Sequence, residues 1–262
     1  LASREKKPET VYKSRKRALL RAFPAGRERE TALSHVDMLP GRYLLTMNAS
    51  QVKRHLKLVD TLEKRKFVVG SKRGKRSTEF TFCTMDKPFR LSQLCGVLTL
   101  NDCNILFAHA FTRIDGKVLD IFRVEDVTGT MPIDDVRTEK IRNDLDSVLS
   151  GKLAIQAALT EHLAKWKRRK NDVIPVPLEV EFDNDTSADV TIIDIFTLDR
   201  PGLLFKITRA LSEAGLTIHR ARISTEANRA IDSFDVQDKR GEKVTGTHGL
   251  RSIRRRLEEA LL

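Results

Sequence analysis

The chain has 262 residues, of which 40% are apolar and 32% charged, and a formal net charge of +12 from 48 Lys+Arg against 36 Asp+Glu. That length holds one large core or two small ones, and no apolar run approaches the 18 residues that would suggest a membrane-spanning helix. Taken alone, the charge points to nucleic acid or another polyanion as partner.

The charge is unevenly placed. Residues 1–77 carry 21 Lys+Arg and 7 Asp+Glu, whereas residues 78–262 carry 27 and 29. The surplus is densest at Lys13-Ser14-Arg15-Lys16-Arg17 and at Lys72-Arg73-Gly74-Lys75-Arg76. Nucleic acid thereby becomes a minority reading.

The chain opens on Leu1 and a polar stretch, Ala2 to Lys7, with no pattern of a secretory signal. A cytoplasmic location is expected, and the missing Met suggests a fragment or processed chain with part of its function elsewhere. Residues 1–77 read as a short helical, partly linker-like segment, punctuated by Pro8, Pro24 and Pro40. One helix is clear, from Ser50 to about Lys66, with Val52, Leu56, Val59 and Leu62 on one face. Asn48 caps it and Gln51 closes a capping box, a better reading of Asn48-Ala49-Ser50 than a glycosylation site. Gly70-Ser71-Lys72-Arg73-Gly74-Lys75-Arg76-Ser77 superficially resembles a phosphate loop. The glycine spacing is one residue short and Arg76 separates Lys75 from the hydroxyl, so a flexible basic loop is expected.

The rest of the chain repeats itself. At an offset of 113, Asp86-Lys87-Pro88 falls on Asp199-Arg200-Pro201, Phe80 and Phe82 on Ile193 and Ile195, and Leu94 and Leu98 on Ile207 and Leu211. Ile105, Ala108 and Thr112 fall on Ile218, Ala221 and Thr225. After a one-residue gap, Phe122, Val124, Asp126 and Gly129 meet Phe234, Val236, Asp238 and Gly241. Each copy reads as a strand, a Pro turn, a helix, a hairpin and a second helix. In the first copy the hairpin pairs Ile105–Thr112 with Lys117–Glu125 across Asp115-Gly116, and Ile133–Leu149 is helical. Leu153–Lys170 reads as a joining helix, and Val176–Phe182 as a fourth strand for the first copy. In the second copy Leu203–Ala214 is a helix led by Pro201 and ended by Gly215. Ile218–Thr225 and Ala230–Gln237 form its hairpin and His248–Leu261 its last helix, with no residues left for a fourth strand. The fold class is α+β: two ferredoxin-like βαββαβ domains, residues 78–183 and 184–262, behind the basic helical segment.

The repeat resembles the ACT domain, a βαββαβ module that binds amino acids and regulates enzymes. Asp199-Arg200-Pro201-Gly202-Leu203-Leu204, the helix to Gly215, and Thr217-Ile218 carry the likeness. With Leu39-Pro40-Gly41-Arg42-Tyr43-Leu44 before the first copy and Glu179-Val180-Glu181-Phe182-Asp183-Asn184 before the second, the arrangement is similar to the C-terminal end of the bifunctional uridylyltransferase/uridylyl-removing enzymes. Those enzymes act on the PII signal protein. The resemblance implies a glutamine-sensing regulatory region of nitrogen metabolism. Its nucleotidyltransferase (with magnesium) and hydrolase domains would lie upstream, and the ACT copies would pair within the chain or in a dimer. A free-standing amino-acid-binding ACT repeat is the alternative.

The expected ligand site comprises Asp199, Arg200, Pro201, Gly202, Leu203, Leu204, Thr217, Ile218 and His219. Backbone N–H groups at a helix start can hold a carboxylate, and Gly202 admits close backbone approach. Thr217 would then meet the α-amino or amide group. In the first copy Phe89-Arg90 replaces Gly-Leu, so that copy is expected to have lost its ligand. It would keep at most a shared site through Asp86, Asn104 and Ile105. No catalytic or metal residues are expected. None of the six His is followed by Asp, Asp144/Asp146 and Asp183/Asp185 lack a Gly-Ser loop before them, and Ser224 and Ser233 have no base nearby. Cys83, Cys95 and Cys103 read as reduced, buried small hydrophobes.

Overall fold

A computed structural model describes residues 8–129, 131–167, 176–226 and 229–262. The chain forms two compact units, one of residues 1–70, 81–86 and 111–119, the other of residues 71–80, 87–110 and 120–262. Its helices are α1 (Pro8–Leu20), α2 (Arg27–Asp37), α3 (Gly41–Thr46), α4 (Ala49–Leu62), α5 (Arg90–Leu100), α6 (Asp135–Leu149), α7 (Ile155–Lys167), α8 (Leu203–Glu213) and α9 (Thr247–Leu261). Its strands are β1 (Phe67–Arg73), β2 (Thr78–Met85), β3 (Cys103–Thr112), β4 (Lys117–Asp126), β5 (Glu179–Asp183), β6 (Thr191–Leu198), β7 (Thr217–Arg222), β8 (Thr225–Glu226) and β9 (Arg229–Gln237). The last three residues of the joining helix expected over Leu153–Lys170 lie outside the described residues.

The helical unit is organised around buried polar side chains. Asn48 caps α4 with both arms of the capping box present, as expected. The helix stops at Leu62, four residues early. His55 is buried on the face it shares with Val52, Val59 and Leu62. Arg113 Nη1 donates to His35 Nδ1 at 2.6 Å, and its guanidinium also meets both Asp115 oxygens at 3.0 and 2.9 Å. His35 Nδ1 is therefore an acceptor, so its proton sits on Nε2, 3.2 Å from the Tyr43 hydroxyl. Tyr43 in turn lies 2.7 Å from His55 Nδ1. Each donor in this relay fixes the tautomer of the next ring. It ends at His55 Nε2, which is buried with no partner among the described residues. The Tyr43 ring is fully buried and edge-on to Phe111 at 5.2 Å.

The strands are ordered β1-β2-β4-β3-β7-β9-β6-β5, with β8 on β9. This order is a palindrome under the repeat, with β1, β2, β3 and β4 matching β5, β6, β7 and β9. It corrects two sequence expectations. First, the segment expected to complete the first copy pairs antiparallel with β6 (Val180 opposite Ile195, Phe182 opposite Ile193) and so completes the second copy. Second, the segment expected to be a flexible basic loop contributes Gly70–Arg73 to a real strand, β1, closed onto β2 by Gly74 N–H donating to Ser77 at 2.8 Å. In both copies the edge strand precedes its repeat instead of following it. The spatial arrangement of a ferredoxin-like sheet survives because a hairpin turn reaches that edge as readily as a C-terminal return.

The two copies meet where β3 pairs antiparallel with β7. Ala108 stands opposite its own repeat equivalent Ala221, Phe107 opposite Arg222, and His109 opposite Arg220. A local two-fold axis therefore passes between Ala108 and Ala221, and the pairing lies within one chain. Beneath it α5 packs on α8. There the equivalents Cys95 and Thr208 interact, and Gly96 leaves no room for a Cβ, which would stand 2.6 Å from Ile155 Cγ1 on α7. Cys83, Cys95 and Cys103 are buried and in no disulfide, and burial pushes Cys103 up to about 12.

Candidate functional site

The turn between β6 and α8 has the geometry its sequence implies. Gly202 is left-handed, with φ 82° and ψ 1°, and no side chain caps the first-turn N–H groups of α8. Leu203 N–H donates to Arg200 O at 3.0 Å and Lys206 N–H to Gly202 O at 3.1 Å. Pro201 lies in the turn and α8 begins two residues later, so it does not open the helix as expected. The far end closes as anticipated. Gly215 has φ 78°, and the N–H groups of Gly215 and Leu216 bond Ser212 and Leu211 in a Schellman pattern.

Gly202, Leu203 and Leu204 are buried, Pro201 is exposed, and Asp199 and Arg200 are half-buried. Arg200 Nη2 donates to the carbonyl of Leu261, tying the turn to the end of α9. The space beside the Gly202 Cα is filled by α7: a Cβ there would lie 2.8 Å from Leu163 Cδ1.

The first copy keeps the same backbone without the glycine. Phe89, the equivalent of Gly202, has φ 64° and ψ 5°. The turn bonds repeat too, Arg90 N–H to Lys87 O at 3.1 Å and Gln93 N–H to Phe89 O at 2.9 Å. Asp102, the equivalent of Gly215, is likewise left-handed at φ 53°, and its carboxylate meets His162 Nε2 at 2.8 Å. A bulky left-handed residue costs about 1–2 kcal/mol. Phe89→Gly is accordingly expected to stabilise the protein by about 1 kcal/mol, read as a higher urea midpoint at unchanged slope.

The other expected site residues are not all at this turn. Thr217 pairs with Gln237 and Ile218 with Val236, while on the other side of β9 Val236 pairs with Thr191 and Arg229 with Leu198. Thr217, Ile218 and His219 therefore lie at the Thr191 end of the sheet, about 20 Å from the Leu198 end where the turn begins. Nor is β7 adjacent to β6, since β9 runs between them. The physical reason is the crossover: α8 carries the chain back along the sheet before β7 starts. His219 sits at a bulge in β7 and meets Gln237 Oε1 at 2.6 Å.

Asn104 and Ile105 are brought to the turn's end. Because β3 runs antiparallel to β7, its first residues extend past Arg222 towards the Leu198 end. Asn104 is exposed and donates to Glu125 Oε1 at 3.0 Å, and Ile105 is buried. Asp86, in the other unit, is exposed, and its N–H donates to Gly116 O at 2.8 Å.

One residue at this end escaped the sequence reading. Asp232 on β9 stands opposite Ile195 and is 1% exposed. Its Oδ1 has no hydrogen-bond partner among the described residues. Burial, with the neighbouring Asp199 carboxylate second, raises its pKa to about 7. A signal existed: the first copy has a buried acid, Asp120, at the equivalent place.

Residues 186–261 match the ACR family N-terminal ACT domain. That match falls on the second copy and the palindromic sheet repeats its topology in the first, so the fold is α+β with tandem ACT-type domains. The chain is 36% identical over 224 residues to the bifunctional uridylyltransferase/uridylyl-removing enzyme of Azospirillum brasilense, covering 84% of this chain and 24% of that one. The enzymes of the same description from Rhodospirillum rubrum (32% identity, 90% and 25%) and Rhodopseudomonas palustris (30%, 84% and 24%) align in the same way. The chain thus spans about a quarter of the length of these relatives. Among the described residues no helix is long and apolar enough to cross a membrane, and no group of three or more His, Cys, Asp or Glu is placed to hold a metal ion.

Proposed function

We propose that this chain is the amino-acid-sensing regulatory region of a bifunctional uridylyltransferase/uridylyl-removing enzyme acting on a PII signal protein in the cytoplasm, with glutamine as effector. The uncapped start of α8 behind the left-handed Gly202 carries this reading. It offers backbone N–H groups and the positive end of a helix to a carboxylate. Asn104 and Ile105 of the first copy reach the same end of the sheet, which supports a site shared by both copies. A ligand bridging them favours one arrangement of the pair and biases domains outside this chain by its differential affinity for the two states. Magnesium belongs with the catalytic domains of such an enzyme. The first copy carries Phe89 and Arg90 where the second has Gly202 and Leu203, so one ligand per chain is the expected stoichiometry.

The test is thermal shift of the whole chain against all twenty amino acids. A selective rise of several degrees with glutamine is expected, and no response to any amino acid overturns the proposal.

A further inference from the structure

The β6–β9 ladder buries a carboxyl beside another acid. Directly opposed residues of an antiparallel pair share a face, so Asp232 lies on the face of Ile195, which is fully buried. Alternation along β6 puts Thr197 on that face too, and Asp199 continues the series into the ligand turn. Among the described residues Asp232 Oδ1 is buried without a hydrogen-bond partner; the carboxyl accepts one backbone N–H, from Ser224, and the charged group that bears on it is another acid, Asp199. A buried carboxyl with a single backbone donor and an acid for a neighbour is costly to ionise. Four arginines of the turn and the neighbouring strands have other contacts, Arg200 on Leu261, Arg220 on Asp235 at 2.9 Å, Arg222 on Ser233 at 3.2 Å and Arg229 over the Phe196 ring at 4.9 Å, although Arg200 Nε and Arg220 Nε have no hydrogen-bond partner among the described residues.

We propose that Asp232, with Asp199 above it, is the ammonium subsite of the second copy, taking the α-ammonium group of an amino acid whose carboxylate lies on the first turn of α8. This rests on the amino-acid-sensing reading and adds to it the residue that recognises the positive end of the ligand. A primary ammonium supplies what Oδ1 lacks, an N–H donor, together with a positive charge beside the Asp232 carboxyl. The subsite therefore selects zwitterions over simple carboxylic acids of the same shape.

The experiment is isothermal titration of the full chain, wild type and Asp232→Asn, with the amino acid that gives the largest thermal shift and with its deaminated analogue, glutaramate where that amino acid is glutamine. The expected result is a loss of at least tenfold in affinity for the amino acid in Asp232→Asn, with the deaminated analogue bound equally by both proteins. Equal affinity of both proteins for the amino acid overturns the subsite and leaves the proposed function standing. No binding of any amino acid to the wild type overturns both. Should Asp232→Asn fail to fold, Asp199→Asn in the half-buried turn takes its place. It is expected to weaken the amino acid at least threefold and to spare the analogue, and an unchanged affinity overturns the subsite.

Discussion

Acidification from pH 7 to pH 5 is expected to remove about 4 kcal/mol of stability from the helical unit through His35 and His55 alone. Burial, reinforced by Arg113, lowers the pKa of His35 to about 3, and burial with Arg54 lowers that of His55 to about 4. Both lie below the unfolded value of about 6.5, so the unfolded chain takes up protons that the folded chain refuses. The stabilisation is fully present above pH 6.5 and falls as the pH drops from there towards 4 and 3. At pH 5 each ring contributes a difference of about 2 kcal/mol. The relay gives the same sign by geometry, because a second proton on His35 would point at the Arg113 N–H groups that already donate to Nδ1. Hydrogen exchange of α2 and α4 amides at pH 7, 6 and 5 checks this. His55→Asn, which keeps a polar side chain but cannot titrate, should halve the pH dependence. Exchange protection independent of pH would refute the assignment of neutral, buried rings.

Asp232→Asn is expected to stabilise the ACT pair, by about 4 kcal/mol at pH 8 and about 2 kcal/mol at pH 5. Here the sign is reversed. The folded pKa of about 7 lies above the unfolded carboxylate value, so the folded chain holds a proton that the unfolded chain releases. The wild type therefore loses stability as pH rises from about 4 to 7, and the asparagine variant does not. Urea denaturation at both pH values, read by far-UV circular dichroism, measures the difference. A variant less stable than wild type at pH 8 would mean that the donors to the carboxylate, the Ser224 N–H among them, outweigh the cost of burying its charge. Together with the ligand titration of Asp232→Asn, this separates the cost of the acid in the empty fold from its proposed contact with a ligand ammonium. Such an exchange of stability for binding is common at functional sites.

How much was legible in the sequence differs from element to element. The β6–α8 turn was readable because its geometry is local: a glycine at φ 82° announces itself by having no side chain. The Schellman end at Gly215 and the Asn48 capping box were readable for the same reason. The ligand-site list mixed such local features with an assumption about neighbours. Thr217 was placed beside Asp199 because it follows the helix in sequence, but strand adjacency is a long-range property, and β9 enters between β6 and β7. Phe89 was noticed as a departure, yet its left-handed backbone was not. Nothing local predicts that a phenylalanine will be held at φ 64° by a turn inherited from a glycine-bearing repeat. His35 and His55 were counted among six histidines and given no structural part. Their burial depends on Tyr43 and on Arg113, 78 residues from His35.

By itself the sequence determined the repeat, the elements within each copy, the split of the charge and the ACT resemblance, because periodicity and turn chemistry are written in neighbouring residues. Only the tertiary structure decided which copy owns each edge strand, that the copies pair about Ala108 and Ala221, and that Asn104 rather than Thr217 shares the end of the sheet with the Asp199 turn. The reason is common to all three. An edge strand has the same local pattern whichever neighbour it joins, and its partner is chosen by backbone hydrogen bonds formed across long stretches of chain. The net charge of +12 belongs to one end of the chain, whereas the buried Asp232 carboxyl is a product of strand pairing that composition could not reveal.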